Sequence, residues 1–173
     1  MTVRPITIAG HRALSQRTRR VREVTDELRT LVADMFETMD AASGVGLAAP
    51  QVGSRWRLFV YSCPDASDTL RRGVVLNPVL ERFGGIALDE EILEGCLSVP
   101  GEGFPTGRAD WARVTGKDEN GNDITVEGYG FFARCLQHEV DHEGAYDLTT
   151  DARDLADLAH GLVDSLTSVH AAD

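Results

Sequence analysis

The chain has no long apolar run, few aromatic residues, few cysteines and a shortage of positive charge. Each absence excludes something. No stretch approaches the ~20 consecutive apolar residues that a membrane-spanning helix needs, so no membrane partner is expected. Residues 1–10 mix polar and apolar side chains, and no leader segment is expected there. The three cysteines, Cys63, Cys96 and Cys135, are odd in number and irregularly spaced. That argues against a disulfide framework and for a reducing cytoplasm. Aromatic residues make up only 6%, so the core must be mainly aliphatic. With 28 acidic against 17 basic side chains the net charge is −11. Phosphate backbones and anionic membranes repel such a chain, and DNA is not an expected partner. No repeat and no Pro-, Gly- or Ser-rich linker divides the 173 residues, which predicts one domain over 1–173.

What is present is patterned. Leu28, Leu31, Val32, Met35, Phe36 and Met39 fall at helical spacing, which predicts a helix from about Thr25 to Ala41, capped by Thr25 or Asp26. The basic run Arg17–Arg22 just before it reads as a solvated loop rather than a binding patch. Trp56–Ser62 and Val74–Leu80 read as strands. Arg113–Thr115 and Ile124–Val126 flank Glu119-Asn120-Gly121-Asn122, and Asn-Gly is a strong hairpin signal. Further helices are expected from about Gly130 to Glu143 and, amphipathic and acidic, over 152–169. The fold class is α+β: short antiparallel β-sheets packed around a central metal-binding helix, with an N-terminal and a C-terminal helix.

The segment Gln137-His138-Glu139-Val140-Asp141-His142 carries the chemistry. A helix places His138 and His142, four residues apart, on one face, where a single divalent ion can take both imidazoles. Neutral imidazoles suit Zn²⁺, Fe²⁺, Co²⁺ or Ni²⁺. A catalytic site wants three protein ligands and an open position. Glu139 is placed to accept a proton from an activated water. The competing reading is a surface helix with charges at chance spacing. Against it, Phe131, Phe132, Cys135 and Leu136 mark this helix as buried.

The third ligand stays open on residues alone. Downstream are Glu143, His160 and His170; upstream is Cys96, which would enter as thiolate. A lone cysteine is otherwise a small buried hydrophobe. A third segment, Gly44-Val45-Gly46-Leu47-Ala48-Ala49-Pro50-Gln51, lets backbone approach a ligand closely, and Gln51 offers an amide to a developing oxyanion. The plain alternative is a tight helix-to-strand connection.

Together, Gly44–Gln51, Glu94-Gly95-Cys96-Leu97-Ser98 and Gln137–His142 resemble, in order and spacing, the three motifs of the peptide deformylases. The resemblance covers nearly the whole chain. It implies that Cys96, His138 and His142 bind one divalent metal, Fe²⁺ by preference, with Zn²⁺, Ni²⁺ or Co²⁺ as alternatives. It implies that Glu139 is general base and then general acid. Gln51 and the Leu97 backbone N–H would form the oxyanion hole. The implied reaction removes the formyl group from the N-terminal methionine of nascent chains, releasing formate. The implied partners are a formylated N-terminus and, transiently, the ribosome, for a monomer in the cytoplasm. By the same analogy Gly44, Val45, Gly46, Ile92, Leu97, Phe131 and Cys135 bind substrate, and a partly buried Glu94–Arg108 pair holds the Cys96 loop.

Two features depart from that pattern. The family usually continues after the second histidine with Leu, a polar residue and Gly; here His142 is followed by Glu143-Gly144-Ala145-Tyr146-Asp147-Leu148, one residue short with the Leu missing. The helix is then expected to end early and the packing behind His142 to differ. Arg134 lies one turn before His138, and solvent snorkelling is preferred over a role in narrowing the pocket. The acidic 152–169 segment argues against strong rRNA contact through it. Alternative functions are a specialised deformylase for a pathway-specific peptide or small formamide, a zincin-type peptidase for which Cys96 is dispensable, and a catalytically silent scaffold.

Overall fold

The computed structural model describes residues 2–87 and 92–144. The helix expected over 152–169 lies outside the described residues, as do His160, His170 and the segment after Gly144. Helix α1 runs Asp26–Ala41. Of the two candidate caps it uses Thr25, whose hydroxyl accepts the Leu28 N–H at 3.3 Å. Asp26 and Glu27 in the first turn add favourable charge at the positive end of the helix.

Seven strands follow: β1 Gly46–Ala48, β2 Leu58–Pro64, β3 Leu70–Ala87, β4 Leu93–Cys96, β5 Val99–Pro105, β6 Arg108–Lys117 and β7 Asp123–Tyr129. Helix α2, Gly130–His142, closes the described chain. The strands form a five-stranded sheet in the order β1-β2-β3-β6-β7 and a two-stranded sheet β4-β5. All pairings within them are antiparallel. β3 spans 18 residues, far more than the Val74–Leu80 run that announces it. The β6–β7 hairpin forms where Asn-Gly predicts it. Asp118 accepts the Asn120 and Asn122 N–H groups, both at 2.8 Å, and Gly121 takes a φ of +85°.

Strand β2 shows why its apolar run is unbroken. Both faces of the large sheet are covered, so alternate residues serve different cores. Leu58 and Val60 pack with Leu31, Met35 and Met39 of α1. Phe59, Tyr61 and Cys63 pack with Phe132, Leu136 and Val140 of α2. Phe132 is 1% exposed, and its truncation to Ala would cost ~3–5 kcal/mol.

Two side-chain clamps position α2 and the residues before α1. Gln137 accepts the Ala109 N–H at 3.1 Å and returns a hydrogen bond to the Ala109 carbonyl at 2.9 Å, so α2 is tied to β6 as a neighbouring strand would be. Asn77 accepts the Val21 N–H and donates to the Val21 carbonyl, both at 2.8 Å. Residues 2–24 thus lie as a strap along the molecule. Its Thr18 hydroxyl donates to the Glu143 carbonyl at the end of α2.

Candidate active site

Helix α2 brings His138 and His142 to one face, and the β4 end brings Cys96 opposite them. The Cys96 Sγ is 3.2 Å from His142 Nε2, which is 3.1 Å from His138 Nε2. The donor atoms of the three side chains all lie within 4.8 Å of one another. Two imidazoles and a thiol this close form a donor set for one first-row divalent ion, whose bonds to them run about 2.0–2.3 Å. Glu143 is not in this group and is buried at the helix end after His142; His160 and His170 lie outside the described residues.

The electrostatics favour a cation. Burial pushes the Cys96 thiol up, but hydrogen bonds from His138 and His142 outweigh it and bring its pKa down to about 5. Burial disfavours a charged His138, yet Cys96 and Glu94 raise its pKa to about 10. The negative charge of Cys96 and Glu94 that favours a proton on His138 would equally attract a metal cation, which must displace that proton to take the ring nitrogen. His138 Nδ1 meets Glu94 Oε1 at 2.6 Å, which leaves Nε2 for the ion.

Glu94 itself is anchored. Arg108 reaches it through Nε at 2.9 Å and Nη2 at 2.5 Å, a bidentate fork, and reaches Asp141 through Nη1 at 2.5 Å. Burial raises the Glu94 pKa, but Arg108 and His138 prevail and hold it at about 2. The chain Asp141–Arg108–Glu94–His138 therefore fixes one ring of the candidate metal centre. Asp141 and Gln137 belong to the supporting structure; the sequence offers for both only their place inside the segment Gln137–His142, and says nothing of their contacts to Arg108 and Ala109.

Glu139 is 3% exposed, and its Oε2 makes no hydrogen bond. Burial raises its pKa to about 7, with His138 and His142 moderating the rise. Its carboxylate lies on the backbone of Gly46: a Cβ there would stand 2.3 Å from Oε1 and 2.6 Å from Cδ. A Cβ on Gly44 would meet Leu97 Cδ1 at 2.8 Å. The glycines of the first segment thus make room for one residue from each of the other two.

Gln51 is 1% exposed. Its Oε1 accepts the Ala48 N–H at 2.8 Å, which turns the amide nitrogen towards Ser98 Oγ at 3.2 Å and Cys96 Sγ at 3.6 Å. A cavity of about 500 Å³ opens beside these groups. Gly44, Val45, Gly46, Ile92, Leu97, Phe131 and Cys135 line it, together with Gln51, Cys96, His138 and Glu139. Ile92 and Phe131 stand at its exposed rim. Arg134 also lines this cavity, half-buried, with Nη1 3.5 Å from the Thr106 carbonyl, so it is part of the pocket wall rather than a side chain reaching only to solvent.

Behind the site, α2 ends at His142 and Glu143 is its C-cap. Glu143 is fully buried and its two carboxylate oxygens make no well-formed hydrogen bond among the described residues. Burial raises its pKa well above the carboxylate range; Arg57 and the Leu58 and Ala49 amides offset this only in part.

The sequence model of polypeptide deformylases matches residues 3–156. Peptide deformylase 2 of Corynebacterium efficiens is 57% identical over 146 residues, covering 82% of this chain and 76% of that protein. The peptide deformylase of Rhodococcus opacus is 56% identical over 149 residues, with the same coverage of 82% and 76%. Among solved structures, a peptide deformylase from Legionella pneumophila superposes with a TM-score of 0.75 at 32% identity, covering 99% of each chain. A deformylase from Synechococcus elongatus in complex with actinonin gives a TM-score of 0.71 at 40% identity, covering 80% of this chain and 72% of that one.

Proposed function

The chain belongs to the peptide deformylase family, and from that premise we infer how its residues divide the work. The enzyme removes the formyl group from the N-terminal formyl-methionine of nascent proteins and releases formate. The observation that carries the division of labour is the meeting of Cys96, His138 and His142 beside a buried Glu139 with an unpartnered oxygen.

The family is metal-dependent, and Cys96, His138 and His142 are the proposed ligands. A bound divalent ion supplies Lewis acidity and makes water a nucleophile at neutral pH. Fe²⁺ is the proposed native ion; a Cys/His/His donor set also accepts Zn²⁺, Ni²⁺ and Co²⁺. Glu139, with a pKa of about 7, accepts the proton of the attacking water and delivers it to the amine nitrogen as the C–N bond breaks. The Gln51 amide and the Leu97 backbone N–H are the proposed donors to the developing oxyanion. Val45, Ile92, Leu97, Phe131 and Cys135 are the proposed wall for the methionine side chain, with the Gly44 and Gly46 backbone alongside. Glu94 and Arg108 keep the His138 ring oriented.

One chain carries this whole set of residues, which supports action as a monomer. The free cysteines support a reducing cytoplasm as its location. Contact with the ribosome is proposed as transient. The chain is acidic, and its positive surface near the strap is limited to exposed arginines such as Arg17, Arg19, Arg20 and Arg22.

The test is to purify the protein anaerobically, load it with Fe²⁺ or Ni²⁺ and measure formate release from formyl-Met-Ala-Ser. Turnover is expected. Cys96→Ala should lose stoichiometric metal, whereas a zincin-type peptidase would retain it. A protein with full metal and no turnover would refute the assigned roles.

A further inference from the structure

The strap ahead of α1 carries none of the three motifs, yet it touches two of them. Thr7 donates its N–H to the Gln51 carbonyl at 2.8 Å and its hydroxyl to the Pro50 carbonyl at 3.0 Å. Two residues later Ala9 donates its N–H to the Ser98 carbonyl at 2.8 Å. Gln51 and Ser98 come from different segments, and their side chains meet at 3.2 Å. A closed ring results: strap to Gln51 backbone, Gln51 amide to Ser98 hydroxyl, Ser98 backbone to strap.

We propose that Thr7 and Ala9 are positioning residues that hold the Gln51 carboxamide in register with Cys96 and Leu97. The proposal rests on the assignment of Gln51 to the oxyanion hole. The Gln51 amide has little freedom left once Ala48 holds its oxygen. What remains free is the distance between the segment that carries Gln51 and the segment that carries Cys96. Among the described residues the two segments are linked on this side by the Gln51–Ser98 contact, by the approach of the Gln51 amide to Cys96 Sγ at 3.6 Å, and by the strap, whose two main-chain bonds tie both segments to one short stretch of backbone. An oxyanion donor acts through preorganisation, and a displacement of about 1 Å is enough to remove much of its effect. Ala9 is exposed, so the strap acts here through its main chain and not through packing.

The experiment measures kcat and KM for formyl-Met-Ala-Ser, metal stoichiometry and Tm in Ala9→Pro and Ser98→Ala. The first removes one N–H with an exposed side chain; the second breaks the ring from its far side and serves if Ala9→Pro fails to fold. The expected result for each is a fall in kcat of about two- to tenfold, as for one lost hydrogen bond, with KM and bound metal unchanged. In a Gln51→Ala background the same substitutions should have no further effect. Thr7→Ser, which keeps both donors, should behave as wild type. Wild-type kcat in folded Ala9→Pro and Ser98→Ala, or the same fall in the Gln51→Ala background, overturns the proposal. An inactive, metal-loaded wild type overturns the deformylase assignment beneath it, which is a separate result.

Discussion

Glu139 and Glu143 stand one helical turn apart at the end of α2. Both are buried, burial raises the pKa of both, and each has a carboxylate oxygen without a well-formed hydrogen bond among the described residues. They differ in what lies in front of them. Glu139 rests on Gly46 and faces the cavity with the three candidate ligands. Glu143 follows His142 at the helix end, where the Thr18 hydroxyl donates to its main-chain carbonyl, and it is not among the residues that line that cavity. The same perturbation therefore falls on the proposed proton carrier in one place and on a residue outside the cavity lining in the other; neighbours decide what it can do. Glu94 completes the contrast: it is half-buried, but Arg108 and His138 bring its pKa down to about 2.

The sharpest way to separate the two is Glu139→Ala. Turnover should fall about 10²–10⁴-fold while bound metal, measured by elemental analysis, stays stoichiometric. Equal turnover would put the two carboxylates on the same footing. Gly46→Ala attacks the seat instead of the acid. Its methyl group must displace the Glu139 carboxylate, and kcat should fall about 10²-fold with metal retained. Glu94→Gln keeps the shape and removes the charge; competition with a chelator should show metal affinity about 10–100-fold weaker.

The smallest expected effect is on stability. Glu143→Leu should raise Tm by roughly 2–4 °C for each kcal/mol gained. The gain should be larger at pH 8 than at pH 5. A carboxyl whose folded pKa is raised stays protonated in the folded chain while the unfolded chain ionises. Its stability contribution is thus present below the ordinary value of 4.5 and is lost as pH rises above it. A gain that does not depend on pH would mean Glu143 is ionised in the fold.

Much of this was legible in the sequence wherever the cause is local. The α1 boundaries follow from a 3.6-residue period and a threonine cap, and the β6–β7 hairpin from its Asn-Gly turn. The His138/His142 pair follows from helix geometry. Cys96 is 46 residues from His142, and no periodicity connects them; only the resemblance brought it into the ligand set. The full length of β3 was hidden because its ends, Leu70-Arg71-Arg72 and Glu81-Arg82, carry charges suited to a solvent-facing edge. The strap contacts were hidden for a different reason. They are made by main-chain N–H groups, which every residue but proline supplies. The missing Leu after His142 was visible, but not that a buried glutamate would take up the space behind the helix.

The Gln137 clamp gives the Ala109 amide a reporting role. That amide is bonded to a side chain on α2, so exchanging its proton for deuterium requires the helix to lift from β6. The exchange rate at this one position would measure the free energy of that opening. A metal gripped by His138 and His142 on the helix and Cys96 on the other side should slow it.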